Sequence, residues 1–152
     1  MELILGKNII ILKESLFYSK VHNWVDLNED VATIGLTDYA QAEMGEISMV
    51  ELMERSLPGT ELSQVKFQGN FPSSAPIPDV TIESAKTVSQ LYSPLSGKVI
   101  SVNSELCIEP ERVNLSPYER GWLITLEPTK IDQELCNLMD YKEYAQFLKS
   151  LY

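Results

Sequence analysis

Lys86 is the side chain whose setting best suits it to chemistry. It sits within Ile82-Glu83-Ser84-Ala85-Lys86-Thr87-Val88, and Leu91-Tyr92-Ser93-Pro94-Leu95-Ser96-Gly97-Lys98-Val99 follows. Two short β-type runs flank it, with small residues (Ser84, Ala85) before it and β-branched Thr87 after it, a pattern that presents a primary amine at the tip of a hairpin. A lone lysine ordinarily marks only a solvated face, so the flanks carry this reading. His22 is the only histidine, and beside Trp24 it reads as a packed, hydrogen-bonded residue rather than a base. The chain has no Gly-x-Ser-x-Gly, no Walker loop and no metal-ligand spacing, which argues against a self-contained enzyme and against a metal site. Cys107 and Cys136 lie far apart with no Cys-x-x-Cys spacing; they are expected to be buried thiols.

The elements that must position Lys86 follow from periodicity and punctuation. Leu3-Ile4-Leu5 and Ile9-Ile10-Ile11-Leu12 flank Gly6-Lys7-Asn8, a hairpin in an N-terminal extension over residues 1–16. A single domain is expected over 17–152. It opens with a hairpin from Phe17 to Leu36 that turns at Asn28-Glu29-Asp30. Asp38 with Gln41 reads as a capping box for a short helix, Asp38 to Met44, closed by Gly45. Ile47 to Leu52 is the next strand, ending before Pro58-Gly59. The segment 65–79 holds Gly69, Pro72, Pro76 and Pro78; no regular element is expected there, and it reads as an exposed loop inserted before the strand that leads to Lys86, near the lysine end.

Strands resume at Val80-Thr81-Ile82, Val88 to Tyr92 and Lys98 to Val102. Pro110 is placed to open a helical turn through Val113, and Trp122 to Leu126 is a last strand stopped by Pro128. Residues 131–152 read as helical: Ile131, Leu135 and Leu138 share a stripe, and Asp140 with Glu143 forms a second capping box before Tyr144, Leu148 and Leu151. Many short strands with a few small helices predict an α+β fold built mostly of antiparallel β-sheet.

Charge and composition exclude whole classes of partner. The formal charge is −10, which disfavours nucleic acid, since phosphate binding needs clustered Lys and Arg. An acidic surface instead suits steering onto basic patches of larger enzymes, or simple solubility. The apolar run at the start is too short and interrupted to span a membrane, and it lacks the marks of a cleaved leader or transit peptide. A cytoplasmic location is expected.

The flanks of Lys86 resemble the lipoyl-attachment hairpin of the glycine cleavage system H-protein family, whose usual form reads Glu-Ser-Val-Lys-Ala and then Tyr-Ser-Pro, a variable residue, Ser-Gly. Lipoyl domains of 2-oxo acid dehydrogenases favour Asp before the lysine and biotin carriers place it between methionines; Ala85 and Thr87 fit neither. The resemblance runs from about Phe17 to about Leu126. Tyr18-Ser19-Lys20-Val21-His22-Asn23-Trp24-Val25 is similar to the family's Tyr-Thr-x-x-His-Glu-Trp-Val, and Gly35-Leu36-Thr37-Asp38-Tyr39-Ala40-Gln41 nearly repeats Gly-Ile-Thr-Asp-Tyr-Ala-Gln. Val50-Glu51-Leu52, Pro58-Gly59-Thr60, Val102-Asn103, Val113-Asn114, Pro117-Tyr118 and Gly121-Trp122-Leu123 follow in the family's order.

The resemblance implies a lipoyl-domain-like hammerhead, a two-sheet barrel-sandwich hybrid, with lipoate in amide linkage on Lys86 as N6-lipoyllysine. It assigns Glu83, Ser84, Ala85 and Thr87 to the hairpin recognised by the attaching enzyme, and Val21, His22 and Asn23 to the groove that holds the arm. The implied role is non-catalytic: an aminomethyl group is shuttled between a pyridoxal-phosphate glycine decarboxylase, an aminomethyltransferase and a dihydrolipoyl dehydrogenase, after a lipoate ligase or lipoyl transferase has loaded the lysine. Three departures bear on this. The segment 65–79 replaces a short turn. Asn23 stands where the family has Glu, and Val21 where it has Ser or Thr, removing a carboxylate that would hold an amine headgroup. Glu119 replaces a Gly, which is expected to strain its turn. An alternative is therefore an H-like carrier for lipoate relay or sulfur-oxidation intermediates, and another is an unmodified relative with a bare Lys86.

Overall fold

Alternation of apolar and polar residues sets out most of the strands in the computed structural model, which describes residues 1–152. In chain order these are β1 (Glu2–Leu5), β2 (Asn8–Ile11), β3 (Phe17–Tyr18), β4 (Asn23–Asn28), β5 (Val31–Leu36), helix α1 (Asp38–Met44), β6 (Ile47–Leu52), β7 (Glu61–Leu62), β8 (Phe67–Gln68), β9 (Phe71–Pro72), β10 (Val80–Ser84), β11 (Val88–Gln90), β12 (Gly97–Val102), α2 (Arg112–Leu115), β13 (Ile124–Pro128), α3 (Ile131–Glu134) and α4 (Tyr141–Ser150). A six-stranded sheet runs β3-β4-β5-β13-β12-β7 and a three-stranded sheet runs β11-β10-β6; β1-β2 and β8-β9 are separate two-stranded pairs. Every pairing is antiparallel, the α+β architecture expected.

The main core takes one face from each larger sheet. Val25, Ile34, Leu126 and Val99 meet Val50, Val80 and Ile82 in a buried apolar cluster, each residue repeating at the two-residue interval of its strand. A second cluster lies at one side, where Leu3, Leu5, Ile10 and Leu12 of the N-terminal hairpin cover Tyr18, Trp24, Tyr39, Tyr144 and Leu148. The hairpin is also tied in by polar bonds: Ile11 N–H donates to Asp38 Oδ2 at 2.8 Å and Tyr118 O–H donates to Ile11 O at 2.6 Å. The tail is fixed by the reciprocal Asp140–Glu143 capping box on α4 and by paired backbone bonds between Tyr18 and Met139, both 2.8 Å.

Trp24 and Gly35 face one another across β4 and β5, and the indole lies over the glycine. A Cβ at position 35 would come within 2.6 Å of the indole ring, and the ring cannot swing away because Trp24 Nε1–H donates to Pro117 O at 2.9 Å. Gly35→Ala is therefore expected to destabilise the fold by about 1–3 kcal/mol, the cost of overpacking a filled site. Urea unfolding with an unchanged m-value checks this.

Six details depart from the sequence expectations. Helix α1 is capped by Thr37, whose Oγ1 accepts from Ala40 N–H, and not by Asp38. The Asp38 carboxylate is taken up instead by Ile11 N–H and Gln41 Nε2–H. The segment 65–79 is not devoid of regular structure, because β8 and β9 pair around a Gly69-Asn70 tip with Pro72 at the end. It also lies at the base of the Lys86 hairpin rather than at its tip, since Val65 N–H donates to Ser93 O and Ile77 N–H to Leu91 O. Both cysteines are exposed rather than buried; each falls in a short 3-10 turn on the surface, Ser104–Cys107 or Leu135–Asn137. The turn ahead of α2 becomes helical only from Arg112, and Glu119 is not among the residues with positive φ, so its turn carries no left-handed strain.

Candidate functional site

Strands β10 and β11 form a hairpin whose last ladder pair is Glu83 opposite Val88. Beyond it Ser84 N–H donates to Thr87 O at 2.9 Å, leaving Ala85 and Lys86 at the tip. Lys86 N–H donates to Ser84 Oγ at 3.3 Å. None of the four residues has positive φ, so the tip closes without a glycine. Ala85, Lys86 and Thr87 are exposed, while Glu83 and Ser84 are half-buried.

The neighbouring strand aims the tip. The β10–β6 register slips between Glu83 and Ser84, which face Met49 and Ile47; Ser48 is the extra residue, and its Oγ–H donates to Glu83 O at 3.3 Å. A bulge of this kind bends and twists the strand that bears it. Just before β6, Gly45 ends α1 with φ 77 and ψ −160, a conformation open in practice to glycine alone. Lys86 Cε lies 3.8 Å from where a Gly45 Cβ would stand, so the lysine stem crosses bare backbone. Asn114 holds that backbone: Nδ2–H donates to Gly45 O and Gln41 Oε1, both 2.9 Å, and Oδ1 accepts from Ile47 N–H at 2.8 Å. The lysine enters no ion pair, the two in the chain belonging to Arg112.

Along the β10–β11 ladder runs a cleft of about 580 Å³ lined by Lys20, Val21, His22, Thr81, Val88, Ser89, Gln90 and Tyr92. Val21 and His22 thus share this cleft with residues of both hairpin strands, from Thr81 on β10 to Val88, Ser89 and Gln90 on β11. Asn23 does not line it. It is 1 % exposed, its Oδ1 accepting from Ser19 Oγ–H at 3.1 Å, because a left-handed turn at His22 (φ 65) directs the next residue into the sheet. No carboxylate lines this cleft; its one formal charge is Lys20, whose Nζ sits 5.8 Å above the Phe67 ring of the inserted segment.

His22 Nδ1 is 2.8 Å from Tyr144 Oη, which is 2.8 Å from Thr37 Oγ1. Burial drops the imidazole pKa to about 4, and burial raises the Tyr144 phenol above its ordinary range. Both are neutral near pH 7. The chain can therefore offer a fixed amine and a polar groove wall whose one formal charge is Lys20, and it has no cluster of His, Cys, Asp or Glu able to hold a metal ion.

A family model described as "Glycine cleavage H-protein" matches residues 16–151. The chain belongs to the glycine cleavage H-protein family. It is 41% identical over 141 residues to a probable glycine cleavage system H protein of Pyrococcus furiosus, covering 92% of this chain and 94% of that one. It is 43% identical over 136 residues to the glycine cleavage system H protein of Geobacillus sp. (strain WCH70), covering 90% and 95%. Among solved structures, the crystal structure of a glycine cleavage system H protein from Mycobacterium marinum superposes with a TM-score of 0.73 at 26% identity, covering 91% of this chain and 99% of that one.

Within this H-protein frame, the sequence reasoning missed Gly45, Asn114, Lys20 and the hydroxyls of Thr81 and Ser89. Gly45 was read only as the end of α1, and Lys20 and Asn114 only as parts of family motifs, none with a role at this site. No helix is long and apolar enough to cross a membrane.

The buried histidine makes a pH prediction. In the unfolded chain it titrates near 6.5, and in the fold near 4. Between those values the unfolded state binds a proton that the folded state does not, so stability falls as pH falls through that window and is unaffected above it. His22→Asn, which tolerates the positive φ, removes this increment. Between pH 7 and 4.5 the wild type is expected to lose about 1–3 kcal/mol more than the variant, measured by urea unfolding at each pH.

Proposed function

We propose that this chain is the lipoyl carrier of a glycine-cleaving system, with lipoate in amide linkage on Lys86. The observation that carries this is the exposed, unpaired amine at a two-residue hairpin tip, in a chain of the H-protein family. When attached, the dithiolane supplies a redox-active disulfide. The protein's own part is positional. The Ser84–Thr87 bond, the Ser48 bulge and the Gly45 ledge hold the tip in one geometry, which lowers the ordering cost of entering another enzyme's site. Acylation by a lipoate ligase or lipoyl transferase loads the amine. A pyridoxal-phosphate glycine decarboxylase, an aminomethyltransferase and a dihydrolipoyl dehydrogenase are then visited in turn, each handover being effectively intramolecular once a partner docks. The chain itself catalyses none of these steps.

A second reading keeps the carrier and changes its cargo to lipoyl groups or sulfur. It is favoured by one observation, the ladder cleft with Lys20 and no carboxylate. One experiment separates the two: lipoylated protein is mixed with glycine decarboxylase, glycine and labelled bicarbonate. Exchange of label into glycine is the expected result, and its absence with a competent decarboxylase favours the second reading.

A further inference from the structure

The stem of Lys86 does not lie in the ladder cleft. It crosses Gly45, on the side of the hairpin where α1 ends. There a second cleft, of about 410 Å³, opens between the C-terminal end of α1 and α2, with Ala42, Gly45 and Leu115 among its lining residues and Glu46 and Glu111 as its charged ones. Leu115 is 80 % exposed, a large side chain left in water beside a groove that shares Gly45 with the path of the lysine stem. Asn114, which pins Gly45, also lines this cleft, so the ledge and the cleft are one rigid unit.

We propose that this second cleft is a resting site for the lipoyl arm of Lys86, distinct from the ladder cleft, with the apolar chain of the arm laid over Gly45 against Ala42 and Leu115. The inference rests on the carrier reading. Three observations support it. The stem already passes over Gly45, a residue of this cleft's lining, so the arm starts at the cleft's edge. An apolar chain covering Leu115 removes exposed hydrophobic surface, which is favourable at about 25 cal/mol per Å². The charges of the two clefts are opposite: an amine-bearing head would meet the ammonium of Lys20 along the ladder but the carboxylates of Glu46 and Glu111 here, and attraction favours the latter. A glycine at position 45 then has two duties, the left-handed helix end and a path with no side chain in the way of the arm.

The test uses full-length protein with 13C-labelled Ala, Leu and Val methyls, lipoylated with a lipoate ligase and checked for one added lipoyl group by intact mass. The expected result is nuclear Overhauser contacts from the arm methylenes to the Leu115 and Ala42 methyls, with shifts of those methyls relative to unmodified protein. Leu115→Gln, a change at an exposed position, is expected to abolish the Ala42 contact while leaving the melting temperature unchanged. Contacts to Val21 and Val88 instead, or no contacts in protein whose mass shows the lipoyl group, overturn the resting site and leave the carrier reading standing. No added mass overturns both.

Discussion

Lys86→Arg is expected to abolish glycine–bicarbonate exchange completely while leaving the fold intact. Arginine keeps the positive charge and nearly the same length, but its delocalised guanidinium is not a primary amine and cannot form the lipoyl amide. The side chain is exposed and makes no ion pair, so its loss should alter stability by no more than the few tenths of a kcal/mol usual at the surface. The comparison that matters is between exchange activity and melting temperature: activity at the level of a reaction without carrier, melting temperature as in the wild type. Residual exchange by the arginine variant would mean that another lysine carries the arm.

Tyr144→Ala has the largest expected effect on stability. Tyr144 is fully buried, stacks on Tyr18 with ring centroids 4.6 Å apart, and its hydroxyl lies 2.8 Å from both His22 Nδ1 and Thr37 Oγ1. One side chain thus joins α4 to the β3–β4 edge, to the histidine of the ladder cleft and to the cap of α1. Truncating a buried aromatic leaves a cavity and costs about 3–5 kcal/mol, which for a chain of this size lowers the melting temperature by roughly 6–20 °C. Tyr144→Phe keeps the stack and removes only the hydroxyl, leaving Thr37 Oγ1 and His22 Nδ1 short of a partner at about 1–3 kcal/mol. Thermal melts of both variants separate packing from hydrogen bonding; equal losses would contradict the account of a stacked ring with a polar handle.

The Lys86 hairpin was legible because its signals are local. Alternation in Val80–Ser84, small residues at the tip and a return strand all lie within a dozen positions, and strand pairing needs nothing further. The β4–β5 hairpin, the end of α1 at Gly45 and the Asp140–Glu143 box were legible for the same reason. What failed was competition between partners. Asp38 satisfied the local rule for a cap, but Thr37 sat one residue earlier with a hydroxyl able to accept from Ala40 N–H, and the N-terminal hairpin offered Asp38 a backbone donor from far away. The segment 65–79 looked structureless because proline removes donors, yet Pro72 falls where β9 ends and costs the short ladder little. The cysteines, apolar by type, were placed by surface turns whose positions depend on the sheets beneath.

The candidate site was half legible for a related reason. Lys86 is found by its flanks, whereas the ledge beneath it joins Gly45, Ile47 and Gln41 through Asn114, some seventy positions away. No periodicity joins such residues. The displacement of Asn23 from the ladder cleft likewise depends on the positive φ at His22, which no local pattern announced.

The most direct test of the central claim is tandem mass spectrometry on full-length protein recovered from cells able to lipoylate and supplied with lipoate. The account predicts one lipoyl group per chain, located on the peptide bearing Lys86 and on no other lysine. A chain that stays unmodified in such cells, or carries the group elsewhere, would contradict it.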